Sequence, residues 1–269
     1  MIVVDNLSHD DSLTHLTTNT TDDRLQIIKN RRNLGFATAC NIAARTASDR
    51  ANTLLFLNPD CIITAATIER LHQVLLSDPT IGMVGGRLSN PDGSEQRGGR
   101  RRFPTPRRAF IRAFGLTYLS RWFPNHFPDF LLHHEPLPTA PIAVEAISGA
   151  CMLVKREALA DVGLWDEGYF LHCEDLDWCM RFHQHHWQVL FVPDAPVAHA
   201  LGACSHSRPL FVEWHKHQGM LRFYRKFYKN TYAAPLWWLV VIGVYFRFSA
   251  ITPYKIVRRL AARIGLIHA

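Results

Sequence analysis

Short apolar runs alternate along the chain with longer segments in which apolar positions recur every three or four residues. The runs are "IVVD" (Ile2 to Asp5), "LQIIK" (Leu25 to Lys29), "TLLFLNPD" (Thr53 to Asp60) and "IGMVGG" (Ile81 to Gly86), all strand-like in length and composition. Between them Phe36 to Ala47 reads as a helix. Thr64 stands where it caps a second one, with Ile68, Leu71, Val74 and Leu75 on one face and Asp78-Pro79 as its stop. This alternation predicts βαβ units, an α/β fold with a mostly parallel, Rossmann-like sheet flanked by helices.

The pattern breaks between Ser89 and Pro141. "NPDGS" reads as a hairpin-like turn, and prolines at 104, 106, 124, 128, 136, 138 and 141 predict an irregular, basic excursion. The sheet resumes with "IAVEAISGACMLV" as two strands. "KREALADVGLWDEGYF" is then a short helix ending at Gly163, and "EDLDWCMRFHQHH" a helix whose acidic first turn complements the helix dipole. No internal repeat is visible.

From Phe211 aromatics interleave with Lys and Arg, and Ala233 to Phe246 carries no charge. That stretch is shorter than the about 20 residues of a comfortable crossing. Trp237 and Trp238 at one end, with Lys255, Arg258, Arg259 and Arg263 beyond the other, predict an interfacial or re-entrant helix. A single marginal crossing and a buried core helix are the alternatives. Two regions result: residues 1–210 as the α/β domain and 211–269 as a basic, aromatic, membrane-associated region.

With 48% hydrophobic and 20% charged residues, the 269-residue chain has the composition of a folded protein. Its net charge of +7 sits mainly in Arg97 to Arg112 and after Trp214, which suggests attraction to polyanions. Six cysteines without a CxxC pair read as reduced thiols of a cytoplasmic protein, and no signal peptide is visible.

Candidate chemistry lies at strand ends. Asp60 closes a buried strand at the edge where open α/β sheets bind ligands, and a carboxylate there suits Mg²⁺ or Mn²⁺ beside a substrate phosphate, or else simply caps a turn. Asp5 is a second such carboxylate, and Gly35 in "NRRNLGFATACN" allows close backbone approach before a helix. Glu174, Asp175 and Asp177 crowd three acids into four positions. They repel unless a metal, a basic ligand or solvent absorbs the charge, and one exposed in a cleft suits general-base work. His199 ends another strand as a metal-ligand candidate, whereas His183, His185 and His186 lack zinc spacing.

In this order, "VVDNLSHD", "NRRNLGFATACN", "LLFLNPD", "GGRLSNPDGS", "ISGACMLVKREALADVGLWDEGYF", "EDLDWCMR" and "PDAPVAHALG" resemble the inverting family 2 glycosyltransferases of GT-A fold, in the branch of bacterial rhamnosyltransferases that act on lipid-linked glycans. The resemblance covers Ile2 to about Cys204. It implies that Asp5 contacts the nucleotide, with Asn33, Gly35 and Asn41 beside it. Asp60 would be the metal-binding acid of a DXD-type motif that here reads Asn58-Pro59-Asp60, helped by His199 and the diphosphate. Asp175 would be the catalytic base, supported by Glu174, with Gly149 and Ala150 near the sugar and Trp165, Asp166 and Glu167 on the acceptor side.

The implied reaction is metal-dependent transfer, with inversion, from a nucleotide-sugar donor to a polyprenyl-diphosphate-linked or polysaccharide acceptor in cell-surface glycan synthesis. Rhamnose from a thymidine diphosphate donor is the first expectation, and the cytoplasmic face of the inner membrane the expected place. One departure stands out: family members begin with a further strand and helix. The expectation is therefore either an upstream start or an impaired copy acting as a scaffold or sugar-nucleotide binder. A nucleic-acid-binding protein would explain the charge but not the carboxylates at strand ends, so no nucleic-acid partner is expected.

Overall fold

The computed structural model describes residues 1–19, 22–123, 125–200 and 209–263, so Cys204 and the last residues of the "PDAPVAHALG" motif lie outside the described residues. The elements in chain order are β1 (Ile2–Asp5), α1 (Ser12–Asn19), β2 (Gln26–Lys29), α2 (Phe36–Thr46), β3 (Thr53–Leu57), β4 (Cys61–Ile62), α3 (Ala65–Leu76), β5 (Ile81–Ser89), β6 (Arg100–Arg101) and α4 (Pro106–Ala113). They continue with β7 (Ile142–Ala143), β8 (Ala146–Ile147), β9 (Cys151–Lys155), α5 (Arg156–Val162), α6 (Glu174–Gln184), β10 (Gln188–His199), α7 (Pro209–Phe227) and α8 (Ala234–Arg263).

The sheet is mixed. Its path is β3-β9-β5-β10-β4, with β7 on β10; β5 and β10 run parallel, while β9 lies antiparallel between β3 and β5. The parallel reading holds for β5 and β10 and for the separate pair β1 and β2. It does not extend to β9, which returns from the excursion antiparallel to β3 and β5, or to β4 and β7, which both pair antiparallel with β10, so the sheet is mixed rather than mostly parallel. Pro193 and Pro196 bring no N–H to the ladder, and the β5–β10 register shifts between Val192 and Pro196.

Two apolar layers hold this sheet. Met83, Met152, Val154, Trp178, Phe182 and Phe191 are fully buried on one side, and Leu71, Leu75, Val84, Val192 and Val197 are buried on the other. The predicted α3 cap is present, since the Thr64 hydroxyl accepts from Thr67 N, and Leu71, Val74 and Leu75 are buried; Ile68 stays partly exposed. Gly163 ends α5 with a φ of 84°.

The excursion is more ordered than its prolines suggest. Thr105 caps α4 by accepting from Arg108 N, with Pro106 in the first turn, where a missing N–H costs nothing. "IAVEAISGACMLV" forms three strands, β7, β8 and β9, because the Ser148–Ala150 turn and Glu145 interrupt the ladder.

Beyond the sheet, α7 is part of the same packing. Phe223 is fully buried in the Trp178 cluster, and a Cβ at Gly219 would lie 2.6 Å from His172 O. Its basic side chains reach into the core as well: Lys226 Nζ is 2.7 Å from Asp177 Oδ2 and 2.8 Å from Asp166 Oδ2. Asp177 is fully buried and also binds Arg181 Nε at 2.8 Å and the Tyr169 hydroxyl at 3.1 Å. Removing a buried partner leaves uncompensated charge, so Asp177→Ala is expected to lose about 3 kcal/mol of unfolding free energy in urea titration. A loss under about 0.5 kcal/mol would mean that this cluster does not hold α6 to α7.

Candidate active site

Helix geometry explains the three acids of α6. Successive residues turn by about 100°, so Glu174 lies near the same face as Asp177 while Asp175 points away from it. Glu174 is buried, and among the described residues its Oε2 has no hydrogen-bond partner. Burial, then the charge of Asp175, pushes its carboxyl far above the usual carboxylate range, up to about 8, which favours the neutral form. Asp175 instead faces the Ser148–Ala150 turn. Its Oδ2 accepts from Arg101 Nη2 at 2.5 Å and from Gly149 N at 3.2 Å, and its Oδ1 from Leu176 N at 2.8 Å. His172 and Cys173, which lead into this helix, both have positive φ, 68° and 70°. Burial, together with Lys216, lowers the His172 imidazole to about 4.

The same turn reaches the end of β3. Ala150 O accepts from Asn58 N at 2.9 Å and from Cys61 Sγ at 3.4 Å. Two consecutive residues, Gly149 and Ala150, therefore join Asp175 to Asn58 and Cys61, which flank Asp60 in sequence. Asn58 Oδ1 is buried and has no hydrogen-bond partner among the described residues.

Asp60 and His199 meet at 3.1 Å between Oδ1 and Nε2, brought together by the antiparallel pairing of β4 and β10. Gln96 fixes the imidazole. Its Nε2 donates to Asn90 Oδ1 at 3.3 Å and to His199 O at 3.1 Å, so its Oε1 accepts from His199 Nδ1 at 2.6 Å. A neutral His199 then presents its Nε2 lone pair to a carboxylate oxygen. Two acceptors this close require a proton or a cation between them, and about 3 Å suits neighbouring ligands of one ion bound at about 2.1 Å.

Cys61 completes a group in which one ligand atom of Asp60, Cys61 and His199 each lies within 4.8 Å of the others. Burial, then Cys151 and Asp60, pushes its thiol up to about 12. It stays protonated, and a hard divalent ion would be held by Asp60 and His199.

On the nucleotide side, Asp5 is nearly buried and closes a turn by accepting from Ser8 N at 3.1 Å. Asn33 Oδ1 accepts from Gly35 N at 2.9 Å, and Gly35 adopts a φ of 87° where a Cβ would lie 2.6 Å from Phe170 O. Asn41 is buried and clamps Trp165, donating to its O at 2.9 Å and accepting from its N at 3.0 Å. Asn41 thus serves the packing of α2 on the Trp165 loop.

The three residues expected on the acceptor side have other partners. Trp165 is buried against Phe36, Phe56 and Trp178. Asp166 pairs with Arg222 and Lys226; burial opposes, but these cations hold its carboxyl down at about 2. Glu167 binds Asn41 Nδ2 at 2.8 Å and Arg45 at 3.1 Å. Sequence reasoning missed Arg101 and Gln96. Arg101 was one of many arginines in a basic run, and no sequence signal marks Gln96 as the orienter of a histidine 103 positions away.

Among known proteins, this chain is 26% identical over 225 residues to the N-acetylglucosaminyl-diphospho-decaprenol L-rhamnosyltransferase of Mycobacterium tuberculosis, covering 80% of this chain and 71% of that protein. It is 24% identical over 161 residues to the low-salt glycan biosynthesis hexosyltransferase Agl10 of Haloferax volcanii, covering 59% of this chain and 46% of that one. Two solved structures share the GT-A fold. The mannosyltransferase PcManGT of Pyrobaculum calidifontis, in complex with GDP-Man and Mn²⁺, matches with a TM-score of 0.53 at 16% identity, covering 99% of this chain and 71% of that one. GalNAc-T7 with UDP, GalNAc and Mn²⁺ gives 0.51 at 16% identity over 74% of this chain, which spans only 37% of that protein. The Glycosyl transferase family 2 model matches residues 1–163, more than half of the sequence, and the chain belongs to that family.

Proposed function

We propose that the chain transfers a hexose, first L-rhamnose from a thymidine diphosphate donor, onto a lipid-linked or polysaccharide acceptor with inversion, in cell-surface glycan synthesis. The observation that carries the reading is the Gly149–Ala150 turn, which ties the carboxylate of Asp175 to the Asn58–Asp60 end of β3. A base and a cation site joined through two residues match a reaction in which a proton leaves one end of the reacting line and a diphosphate leaves the other. The rhamnose assignment is supported by the M. tuberculosis rhamnosyltransferase relative.

In this mechanism Asp175 takes the proton of an acceptor hydroxyl as its oxygen bonds to the anomeric carbon. The bond from that carbon to the donor's diphosphate breaks, and the nucleoside diphosphate leaves with the electron pair; one displacement inverts the centre. Arg101 and Gly149 N aim the carboxylate. Mg²⁺ or Mn²⁺ held by Asp60 and His199 would offset the charge of the departing diphosphate. Neutral Glu174 keeps a second negative charge away from Asp175. Asp5, with the Asn33–Gly35 loop, is proposed to receive the nucleotide, and Asn58 Oδ1, Gly149 and Ala150 to border the sugar.

Membrane association is proposed for α8. Ala234–Pro253 is long and apolar enough to cross a bilayer, with a mean hydropathy of 1.6, and none of it is buried in the protein. Arg247 within that stretch makes a full crossing costly, by about 3 kcal/mol for a charge at mid-bilayer, which favours a helix lying in the interface. On this reading the protein works on the cytoplasmic face of the inner membrane, at a membrane surface and without nucleic acid.

Three outcomes are expected. Asp175→Asn lowers Mn²⁺-dependent transfer by about 10²- to 10⁴-fold while a fluorescent donor nucleotide still binds; full activity in that variant, measured as release of nucleoside diphosphate with a polyprenyl-diphosphate-linked acceptor, removes Asp175 from the mechanism. No release by the unaltered chain with any sugar nucleotide leaves the sugar-nucleotide binder or scaffold as the better account. His199→Ala weakens Mn²⁺ binding followed by electron paramagnetic resonance, and unchanged affinity would place the ion elsewhere.

The third outcome concerns pH. Because Glu174 has a raised folded pKa, the folded state holds more protons than the unfolded one between about pH 4.5 and 8. Its ionisation therefore lowers stability as pH rises through that window. Activity is expected to decline above about pH 8 as charge enters beside Asp175, and Glu174→Gln to flatten both the stability slope and that alkaline decline. An unaltered slope in Glu174→Gln, read by denaturant titration across the range, would show that Glu174 ionises normally.

A further inference from the structure

Cys61 has no task in the proposed transfer, yet its side chain stands inside the cation site. Strand register puts it there. β4 pairs antiparallel with β10, with Cys61 directly opposite His199 and Ile62 opposite Ala198. Directly opposed residues of an antiparallel pair send their side chains to the same face, so the thiol and the imidazole point together while Ile62, 76% exposed, points away. Asp60 is fixed beside them because Ala200 N donates to its O at 3.0 Å, continuing the ladder by one residue.

The donor set is therefore a carboxylate oxygen, an imidazole nitrogen and a sulfur. One ligand atom of each lies within 4.8 Å of the others, Asp60 Oδ1 and His199 Nε2 are 3.1 Å apart, and among the described residues no other three His, Cys, Asp or Glu side chains converge in this way. Gln96 already turns the Nε2 lone pair of His199 toward the group. Around a tetrahedral Zn²⁺, with bonds of about 2.0 Å to oxygen and nitrogen and about 2.3 Å to sulfur, neighbouring ligand atoms stand about 3.5 Å apart. Closing these donors onto such an ion takes side-chain shifts of about 1 Å.

The surroundings of the sulfur permit that change. Its S–H donates to Ala150 O at 3.4 Å, a weak bond, and Ala150 O also accepts from Asn58 N at 2.9 Å. Loss of the S–H donor leaves Ala150 O with its stronger partner. Mg²⁺ and Mn²⁺ prefer oxygen and leave a neutral thiol alone. A thiophilic ion breaks the S–H bond, forms a bond to the sulfur and sends the proton to solvent.

We propose that Asp60, Cys61 and His199 form an inhibitory site for a thiophilic divalent ion such as Zn²⁺, bound through the Cys61 sulfur in place of the Mg²⁺ or Mn²⁺ of the reaction. The inference goes beyond the proposed function and shares with it only the reading of Asp60 and His199 as ion ligands. Charge makes the soft ion inhibitory. A hard ion on Asp60 and neutral His199 keeps a net positive charge with which to hold a diphosphate. On Asp60 and a Cys61 thiolate the ion is neutralised, and a tetrahedral site then has a single position left for a phosphate oxygen.

The test uses the full chain, with Cd²⁺ as the optical probe because its bond to a thiolate absorbs in the ultraviolet. The native chain and a Cys204→Ser variant are expected to develop that band on addition of Cd²⁺, and Cys61→Ser to lose it. Zn²⁺ outranks Mn²⁺ at nitrogen and oxygen ligands too, so the second readout is the ratio of the two affinities. It is measured from the free Mn²⁺ signal in electron paramagnetic resonance as Zn²⁺ displaces the bound ion. Cys61→Ser should still bind Mn²⁺, which shows that the site is intact, while its preference for Zn²⁺ falls at least about tenfold.

No band in the native chain, a band that survives in Cys61→Ser, or an unchanged affinity ratio overturns the proposal. Release of nucleoside diphosphate is measured separately, with Mn²⁺ and then with added Zn²⁺. Turnover that Zn²⁺ suppresses more strongly in the native chain than in Cys61→Ser supports the inhibitory role, and turnover untouched by Zn²⁺ overturns it. If no donor turns over while the band and the ratio behave as expected, the transferase reading falls and the thiophilic site stands.

Discussion

The burial of Asp177 sets the rest of the site. A carboxylate with no solvent exposure must have its charge met by the protein, and Arg181, Lys226 and the Tyr169 hydroxyl do so from three different segments. Once that face of α6 is fixed inward, helical periodicity leaves Glu174 inside as well and turns Asp175 toward the Ser148–Ala150 turn. The same Lys226 also grips Asp166, so the orientation of the catalytic helix and the docking of α7 are one constraint. Helix α7, which packs against α8, is thereby bonded directly to the helix that carries Asp175.

Local signals in the sequence carried most of the secondary structure. The Thr64 cap, the Gly163 stop, the turn at Asn90 to Ser94 and the acidic start of α6 each depend on neighbours within a few positions, and each is where the pattern placed it. Long-range pairing was not legible. Nothing near Asp166 indicates that its partners are Arg222 and Lys226, and nothing near Asp177 points to Lys226. Three acids within four positions therefore looked alike in sequence although burial pushes one toward its neutral form, one faces the Ser148–Ala150 turn and one is locked in the core. The prolines of the excursion misled in a different way: Pro106 opens a helix rather than breaking one, because it sits in the first turn behind the capping Thr105.

The arginine-rich run illustrates how one composition serves two ends. Arg100, Arg101, Arg102, Arg108 and Arg112 each bind an acid, and through those bonds a proline-rich segment is held over the site. Net charge cannot separate these from arginines left without a partner, which is why a +7 chain is compatible with polyanions of very different kinds. The separation requires the ion pairs themselves. It shows the free positive charge of this run to be smaller than the sequence suggests, since five of its arginines already carry an acid.

The two ends of the Gly149–Ala150 turn place opposite electrostatic demands on a small region. At Asp175 a negative charge has to be kept usable, so one cation and one backbone N–H hold it while the neighbouring carboxylate is kept neutral by burial. At Asp60 the demand is reversed. Gln96 orients His199 so that its Nε2 faces an Asp60 oxygen at 3.1 Å, an arrangement that is favourable only with a proton or a cation between them. Because Ala150 accepts from Asn58 N and Gly149 donates to Asp175, a shift of that turn would move both ends together. The separation of Asp175 from the Asn58–Asp60 segment is thus set by two residues of backbone rather than by the ion-paired excursion around them, so on the proposed mechanism variation in the excursion can change what is recognised without moving the two ends of the reacting line.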